Sequence, residues 1–283
     1  MCYMPSKISN YDQIINALAS GSFLKYFWHK DTQTTDLISA SPMFGWRVAG
    51  IPAAGSVPAT GSGTVPTSAT TGAFVIQNPA AGKQRYLTNV AGMGSDNLLQ
   101  CQVTLIDVLW FNSGLSGTLT SSQTINSTAL TRYTTGKGNY IAAICWTATG
   151  ATASNITVSY TNENGTSGRT TVSTGFFTGH FSYGSGAPVA DQVQILPLQD
   201  GDYGVQSIQS ATLSASTLTA GDWGLMIYHP ISISDRRGLF NQINQLGDGL
   251  PEVMSDACLN VIRVIPNSTT INKTAGLITM VDV

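Results

Sequence analysis

From Ala73 onward the sequence falls into short runs in which apolar residues recur with a period of two, each run ended by Gly, Asn, Asp or Pro. This pattern predicts β-strands, because successive strand residues point to opposite faces of a sheet. The runs are "AFVIQN", "QRYLTNVAGM", "LLQCQVTLIDVLWF", "SGTLTSSQTIN", "NYIAAICWTAT", "QVQILPLQ", "VQSIQSATLSAS" and "DWGLMIYHPI", with a hairpin among them. No amphipathic helix of convincing length comes between them, so crossover helices and a parallel sheet are not expected. An antiparallel β-sandwich is, for which a jelly roll is one eight-stranded solution. "LIDVLW" reads as a strand buried on both sides, and "VQSIQSATLSAS" as one with a wet or partner-facing side. Trp110, Trp146 and Tyr160 fall at strand centres and read as core. "LNVIRVIPN" and "AGLITMVDV" would close the sandwich.

The hairpin is "NITVSYTNENGTSGRTTVSTG", Asn155 to Gly175. Ile156, Val158 and Tyr160 alternate with Thr157, Ser159 and Thr161, and Asn164-Gly165 supplies the turn. Its outward face carries hydroxyls where a typical soluble protein carries Lys and Glu. The whole chain shares this trait: Lys, Arg, Asp and Glu make 10% of it, against roughly 25% in ordinary globular proteins. No charged side chain occurs from Val48 to Gly82, or from Val108 to Thr131. Such a surface suits contact with other protein, because burying a hydroxyl costs far less than burying an unpaired charge. A formal net charge of -2, with Arg236-Arg237 as the nearest thing to a basic patch, argues against nucleic-acid binding.

Ahead of the strands, Asn10 and Gln13 fit a capping box, and Tyr11, Ile14, Ile15 and Leu18 share one face of an expected helix that stops at Gly21. "FLKYFWHK" follows and reads as a segment docked on the core. Trp46 to Gly72 contains Pro52, Pro58 and Pro66, is rich in Gly and has no acid. A structureless loop of this length is unusual in a compact domain. The favoured reading is an extended arm lapping a neighbour, with a solvated linker as the alternative; deleting Gly50 to Thr71 should then leave the sandwich folded. The expected organisation is a helix and docking segment over residues 1–45, the arm over 46–72, and the sandwich over 73–283. Asp235 to Cys258 breaks the strand pattern and carries a short helical possibility. The N-terminus lacks the apolar core of a secretory signal, so synthesis in the cytoplasm and no membrane span are expected.

The search for chemistry is negative across several classes. His29, His180 and His229 are the only imidazoles, no G-x-S-x-G elbow occurs, and each His reads as structural or surface. Asp191, Asp200, Asp202 and Asp222 are the carboxylates a glycosidase would have to bring together, but each sits at a turn, where Asp satisfies backbone donors. Cys2, Cys101, Cys145 and Cys258 have no metal spacing; they read as buried or free thiols, and Cys101 could bridge Cys145 only if their strands are neighbours. No cofactor, metal or catalytic residue is expected. The five N-x-S/T matches, at Asn126, Asn155, Asn164, Asn267 and Asn272, are what chance gives in a chain this rich in Asn, Ser and Thr.

"WRVAGIPAAGSVP", "LWFNSGLSGTLTSSQTINSTALTR", "SYTNENGTSGRT" and "LQDGDYGVQSIQSATLSAS", all between Trp46 and Ser216, together resemble segments of a family of tailed-bacteriophage virion structural proteins. The resemblance implies a non-enzymatic decoration or cement protein on the capsid surface. Its partners would be the major capsid protein and sister subunits in a homotrimer, without nucleic acid or membrane. Trp46, Arg47, Pro52, Pro58 and Pro66 are the expected interface. Two other classes stay open: a tail, collar or spike component that binds a receptor or glycan, with Trp223 and Tyr228 as an aromatic platform, and a depolymerase-type enzyme, which would require two of Asp191, Asp200, Asp202 and Asp222 to converge.

Overall fold

The computed structural model describes residues 11–31, 41–94, 101–177, 188–237, 240–241, 250–264 and 273–283. The calls on Asn10, His180 and Cys2 lie outside these residues, as does most of the helical possibility between Asp235 and Cys258.

The protein is nearly all β, as the two-residue period predicts. After α1 (Tyr11–Ala19) come β1 (Phe23–Lys30), β2 (Pro42–Phe44), β3 (Gly50–Ile51), β4 (Arg85–Gly94), β5 (Cys101–Phe111) and β6 (Gln123–Thr124). The middle strands are β7 (Tyr140–Thr147), β8 (Asn155–Asn162), β9 (Arg169–Thr170), β10 (Thr174–Gly175), β11 (Val193–Leu196) and β12 (Val205–Leu213). The last are β13 (Asp222–Arg237), β14 (Phe240–Asn241), β15 (Glu252–Val253), β16 (Leu259–Val264) and β17 (Thr274–Asp282). They form three sheets whose paired strands all run antiparallel. Sheet I has the order β15-β4-β17-β1-β3. Sheet II has the order β11-β7-β13-β5-β16-β2, with β14 on β13. Sheet III has the order β10-β8-β12-β6, with β9 on β8.

Sheet II is central because β5 and β13 are long enough to serve two sandwiches. One end of its inner face, through Trp110, Ala143, Leu225 and Ile227, packs on Ile156, Val158, Tyr160, Ile208 and Leu213 of sheet III. The other end, through Val103, Leu105, Ile231 and Val261, packs on Trp28, Val90, Ile278 and Met280 of sheet I. The β5–β13 register shifts between Ile227 and Tyr228 and again between Pro230 and Ser232. Bulges of this kind bend a strand and re-aim its side chains, which lets one pair of strands face two partner sheets. As read from the sequence, "LIDVLW" is buried on both sides: the second face of sheet II, with Phe44, Ile106, Val108, Ile144 and Met226, is covered by Trp46 and Ala73.

Several local expectations are corrected. "FLKYFWHK" is a strand, paired along its whole length with the C-terminal strand β17. Of "AFVIQN" no strand forms; Phe74 and Ile76 are plugs in the sheet I core. "SGTLTSSQTIN" keeps only β6 as strand. Helix α1 forms and is followed by Gly21 at φ +77°, a left-handed stop that glycine adopts without penalty. Its buried residues, however, are Ile14 and Ala17, while Tyr11, Ile15 and Leu18 face outward.

Candidate interaction surface

In the hairpin, Asn162 and Thr166 pair across the Asn164-Gly165 turn, where Gly165 takes φ +76°. Behind the turn the Asp202 carboxylate accepts hydrogen bonds from the Tyr160 hydroxyl, the Asn162 amide (2.8 Å) and Nε and Nη2 of Arg169 (2.9 Å each). The Arg169 guanidinium, followed by the Tyr160 and Asn162 donors, holds this carboxyl down at about 2, against the opposing effect of desolvation. Asp202 therefore serves as a clamp, fixing β8, β9 and the 200–203 turn to one another.

With the hairpin fixed, the inward positions of β8 and β12 pair in register: Tyr160 with Ile208, Val158 with Ala211, Ile156 with Leu213. The outward positions then also pair: Thr161 with Ser207, Ser159 with Ser210, Thr157 with Thr212. Ser159 is opposite Thr170 of β9 on one side, and Ser210 is opposite Thr124 of β6 on the other. Thr170, Ser159, Ser210 and Thr124 thus form a row of hydroxyls across four strands, with steps of roughly 4.8 Å. The bulge at Gln209 places an amide beside this row, and its Nε2 donates to Thr161 (3.1 Å) and Ser207 (2.9 Å). The only charged residue in the five strands of sheet III is Arg169, and its guanidinium is committed to Asp202. This face is half-buried to exposed, uncharged, and made of groups that both donate and accept.

A second cluster lies where the two sandwiches meet. Asp107, fully buried in β5, accepts Nε and Nη2 of Arg132 at 2.9 Å each and the Cys258 amide at 2.8 Å. Beside it the rings of Tyr133 and His229 stack at 3.8 Å, and His229 Nδ1 lies 3.0 Å from Asn139 Oδ1. Burial raises the Asp107 carboxyl, with the Arg132 hydrogen bonds opposing, and burial lowers His229 to about 4. A general base needs a pKa near working pH and access to substrate. This imidazole lies far below that range, and it is sandwiched within the fold. The cluster welds the two sandwiches together. The buried thiols follow the same rule: Cys145 is pushed up to about 12 by burial, and Cys258 is raised as well, so neither is a ready nucleophile. Cys145 is free, and β7 and β5 are separated by β13, which removes a bridge to Cys101.

The remaining sequence-predicted residues are placed as follows. Trp46 is 1% exposed, stacked on Phe44 and edge-on to Phe111, with its Nε1 donating to Ser56 O (2.8 Å). Arg47 is paired with Asp191 at 2.6 Å and donates to Trp146 O. Pro52 and Pro66 are buried and Pro58 half-buried. The 46–72 segment, irregular apart from β3, lies along its own sheet II. Trp110 Nε1 donates to Ser62 O, Asn112 to Gly61 O, Ser113 to Pro58 O and Arg132 to Pro66 O. Trp46, Pro52 and Pro66 consequently offer no face to a neighbour; Ile51 and Val57 are the large apolar residues this segment exposes. Trp223 and Tyr228, the proposed glycan platform, are 0% and 4% exposed and belong to the core. Asp191, Asp202 and Asp222 do not form a carboxylate pair: each is engaged by its own donor, Arg47, Arg169 and the Gly114 amide respectively. No group of three or more His, Cys, Asp or Glu that could hold a metal occurs among the described residues, and no described helix is long and apolar enough to cross a membrane.

No family model and no curated protein matches the chain. Among solved structures it is similar to the infectious bursal disease virus T13 viral particle, at 7% identity and a TM-score of 0.22, covering 92% of this chain and 77% of that one. It is similar also to the VP2 subviral particle of the same virus, at 9% identity and a TM-score of 0.22, covering 92% and 80%. Scores this low carry no argument about function, which rests below on the chain's own surface.

Proposed function

We propose that this protein is a non-enzymatic structural component of a virion, and that the hydroxyl face of sheet III is where it packs against other protein of the particle. The single observation that carries this reading is the row Thr170, Ser159, Ser210 and Thr124, on a sheet whose strands carry one charged residue, Arg169, committed to Asp202. A face that stays in water gains solubility from charge, whereas a face that is covered by protein avoids the cost of desolvating it. Hydroxyls also tolerate close approach and can pair with either donors or acceptors on a partner. The low charge of the whole chain supports the same reading. Decoration of a capsid lattice, with the major capsid protein and sister copies as partners in a trimer, is the form of this role that the resemblance to tailed-phage proteins implies. A glycan-binding role loses its platform, because Trp223 and Tyr228 are core residues.

The test is a Ser159→Lys, Ser210→Glu double variant mixed with particles that lack the protein and sedimented with them. Outward-facing substitutions of this kind change stability by about 0.5 kcal/mol or less, so the variant should melt like the parent. Burying two new charges should lower particle binding at least about tenfold. Parent-like co-sedimentation of the folded variant removes this face from the interface.

A further inference from the structure

Strand β1 pairs with β17 from Phe23 to Lys30, but on its other side β3 reaches only His29 and Lys30. The Asp282 amide donates to Ser22 O, which puts the even residues of β1 in hydrogen-bonded pairs with β17. The Asp31 amide donates to Ala49 O, which turns the odd residues toward the β3 side. The N–H and C=O groups of Phe23, Lys25 and Phe27 therefore point out of the sheet edge, and among the described residues nothing hydrogen-bonds them. Their side chains are exposed as well, Phe23 by 38% and Phe27 by 57%, with the Lys25 ammonium 5.5 Å from the centroid of the Phe23 ring. Proteins that keep such an edge unpaired blunt it with charges, proline or a bulge. Here one Lys stands between two Phe, and the β1–β17 register runs without a shift.

We infer that this edge pairs antiparallel with β1 of a second copy of the chain, so that sheet I continues across a two-fold axis. Hydrogen-bonded pairing requires odd residues to meet odd ones, which leaves few registers. An axis through Lys25 would set two ammonium groups opposite each other, a repulsive pair. An axis through Tyr26 or Phe27 would set Phe23 or Lys25 against His29, whose edge β3 already occupies. An axis through Phe23 leaves that residue alone within the strand to pair. An axis through Leu24 meets none of these obstacles: Phe23 lies opposite Lys25 of the second copy, twice over, and each pair exchanges two backbone hydrogen bonds. The ammonium then meets a Phe ring of the other copy, as it does within its own chain. A contact this short is weak between free molecules and strengthens where copies are held close together. It does not depend on the hydroxyl face of sheet III, and its two-fold symmetry distinguishes it from contacts around a trimer.

The experiment compares the intact protein at about 5 µM and about 500 µM, a span suited to a weak contact. Leu24→Cys places two thiols across the axis, and mild oxidation should link it into dimers at the high concentration, beyond the level of the parent. Tyr26→Cys, off the axis, should not link. Hydrogen exchange at the Phe23, Lys25 and Phe27 amides should be fast in the dilute protein and at least about tenfold slower in the concentrated one. Lys25→Pro removes an edge N–H that makes no bond inside the chain, so it should melt like the parent, and in the Leu24→Cys background it should lower cross-linking at least about tenfold. Phe23→Lys, which sets ammonium against ammonium in each pair, is the second blocking variant and should act alike. Cross-linking unchanged in either folded blocking variant, preferential linkage through Tyr26→Cys, or Leu24→Cys dimers no more abundant than the parent's overturns the inference. Amides already protected in the dilute, monomeric protein would mean that the edge is covered within its own chain, and would overturn it too.

Discussion

At the scale of single residues, charge is scarce in this chain, and the buried Asp107–Arg132 pair has a place in the fold. Asp107 and Arg132 bound the second charge-free stretch and meet in space at the seam between the sandwiches. Asp107 was legible as an oddity, an acid inside "LIDVLW", but its partner 25 residues away was not, because only the fold returns Arg132 to β5. His229 shows the same limit. Read as a structural or surface residue near a strand end, it lies within β13, stacked on Tyr133. Its imidazole is lowered by burial from 6.5 to about 4, so between those values the unfolded chain carries a proton that the folded chain does not. Stability should therefore fall as pH drops through that window and level off with respect to this group below about 4. The interval is worth on the order of 3 kcal/mol. Melting temperatures measured from pH 7 to pH 4 should show this decline, and His229→Gln should lose the part of it centred between 6 and 5.

At the scale of elements, the 46–72 segment changes meaning most. Its Gly and Pro content announces an irregular path, and apart from β3 the segment is irregular; the residues it covers are invisible in its own composition. Gly55 and Gly72 press their backbones onto the Trp46 indole, and Gly63, at φ +70°, lies against Phe111 O and the Trp110 ring, where a side chain would collide. Removing Gly50–Thr71 takes away the acceptors for the indole N–H groups of Trp46 and Trp110 and for one Arg132 nitrogen. It also removes the Gly55 backbone that packs on the Trp46 indole. Exposing a large buried apolar side chain costs roughly 1.5–3 kcal/mol and each lost hydrogen bond adds to that, so the deleted protein should fail to fold cooperatively, as read by loss of near-ultraviolet circular dichroism. A folded, soluble deletion protein would restore the picture of an appended arm. Helix α1 makes a related point: its apolar periodicity predicted the helix correctly, but Tyr11, Ile15 and Leu18 are exposed, and it is Ala17 that packs on Tyr86 and Val281 of sheet I.

At the scale of the whole molecule, β5 and β13 run through both sandwiches, and β1 closes sheet I against the last strand, β17. Shared strands and the Asp107–Arg132 weld should make the two sandwiches unfold together. Ile278→Ala in sheet I and Val158→Ala in sheet III each leave a cavity costing roughly 2–4 kcal/mol. Both variants should show one calorimetric transition, shifted as a unit; two separated transitions in either would mean that the sandwiches are independently stable.

The sequence by itself determined the class of the protein and much of its strand inventory, because period-two alternation and turn residues are local signals read within a few residues of one another. It also determined that the outward face of the 155–175 hairpin is made of hydroxyls, since alternation assigns each side chain to a face once the strand is known. The tertiary structure alone decided that Thr170, Ser159, Ser210 and Thr124 align into one row. It alone decided that Trp46 and Trp223 are core and that Arg132 answers Asp107. These are contacts between residues far apart in the chain, fixed by strand order and by bulges whose position no local pattern encodes.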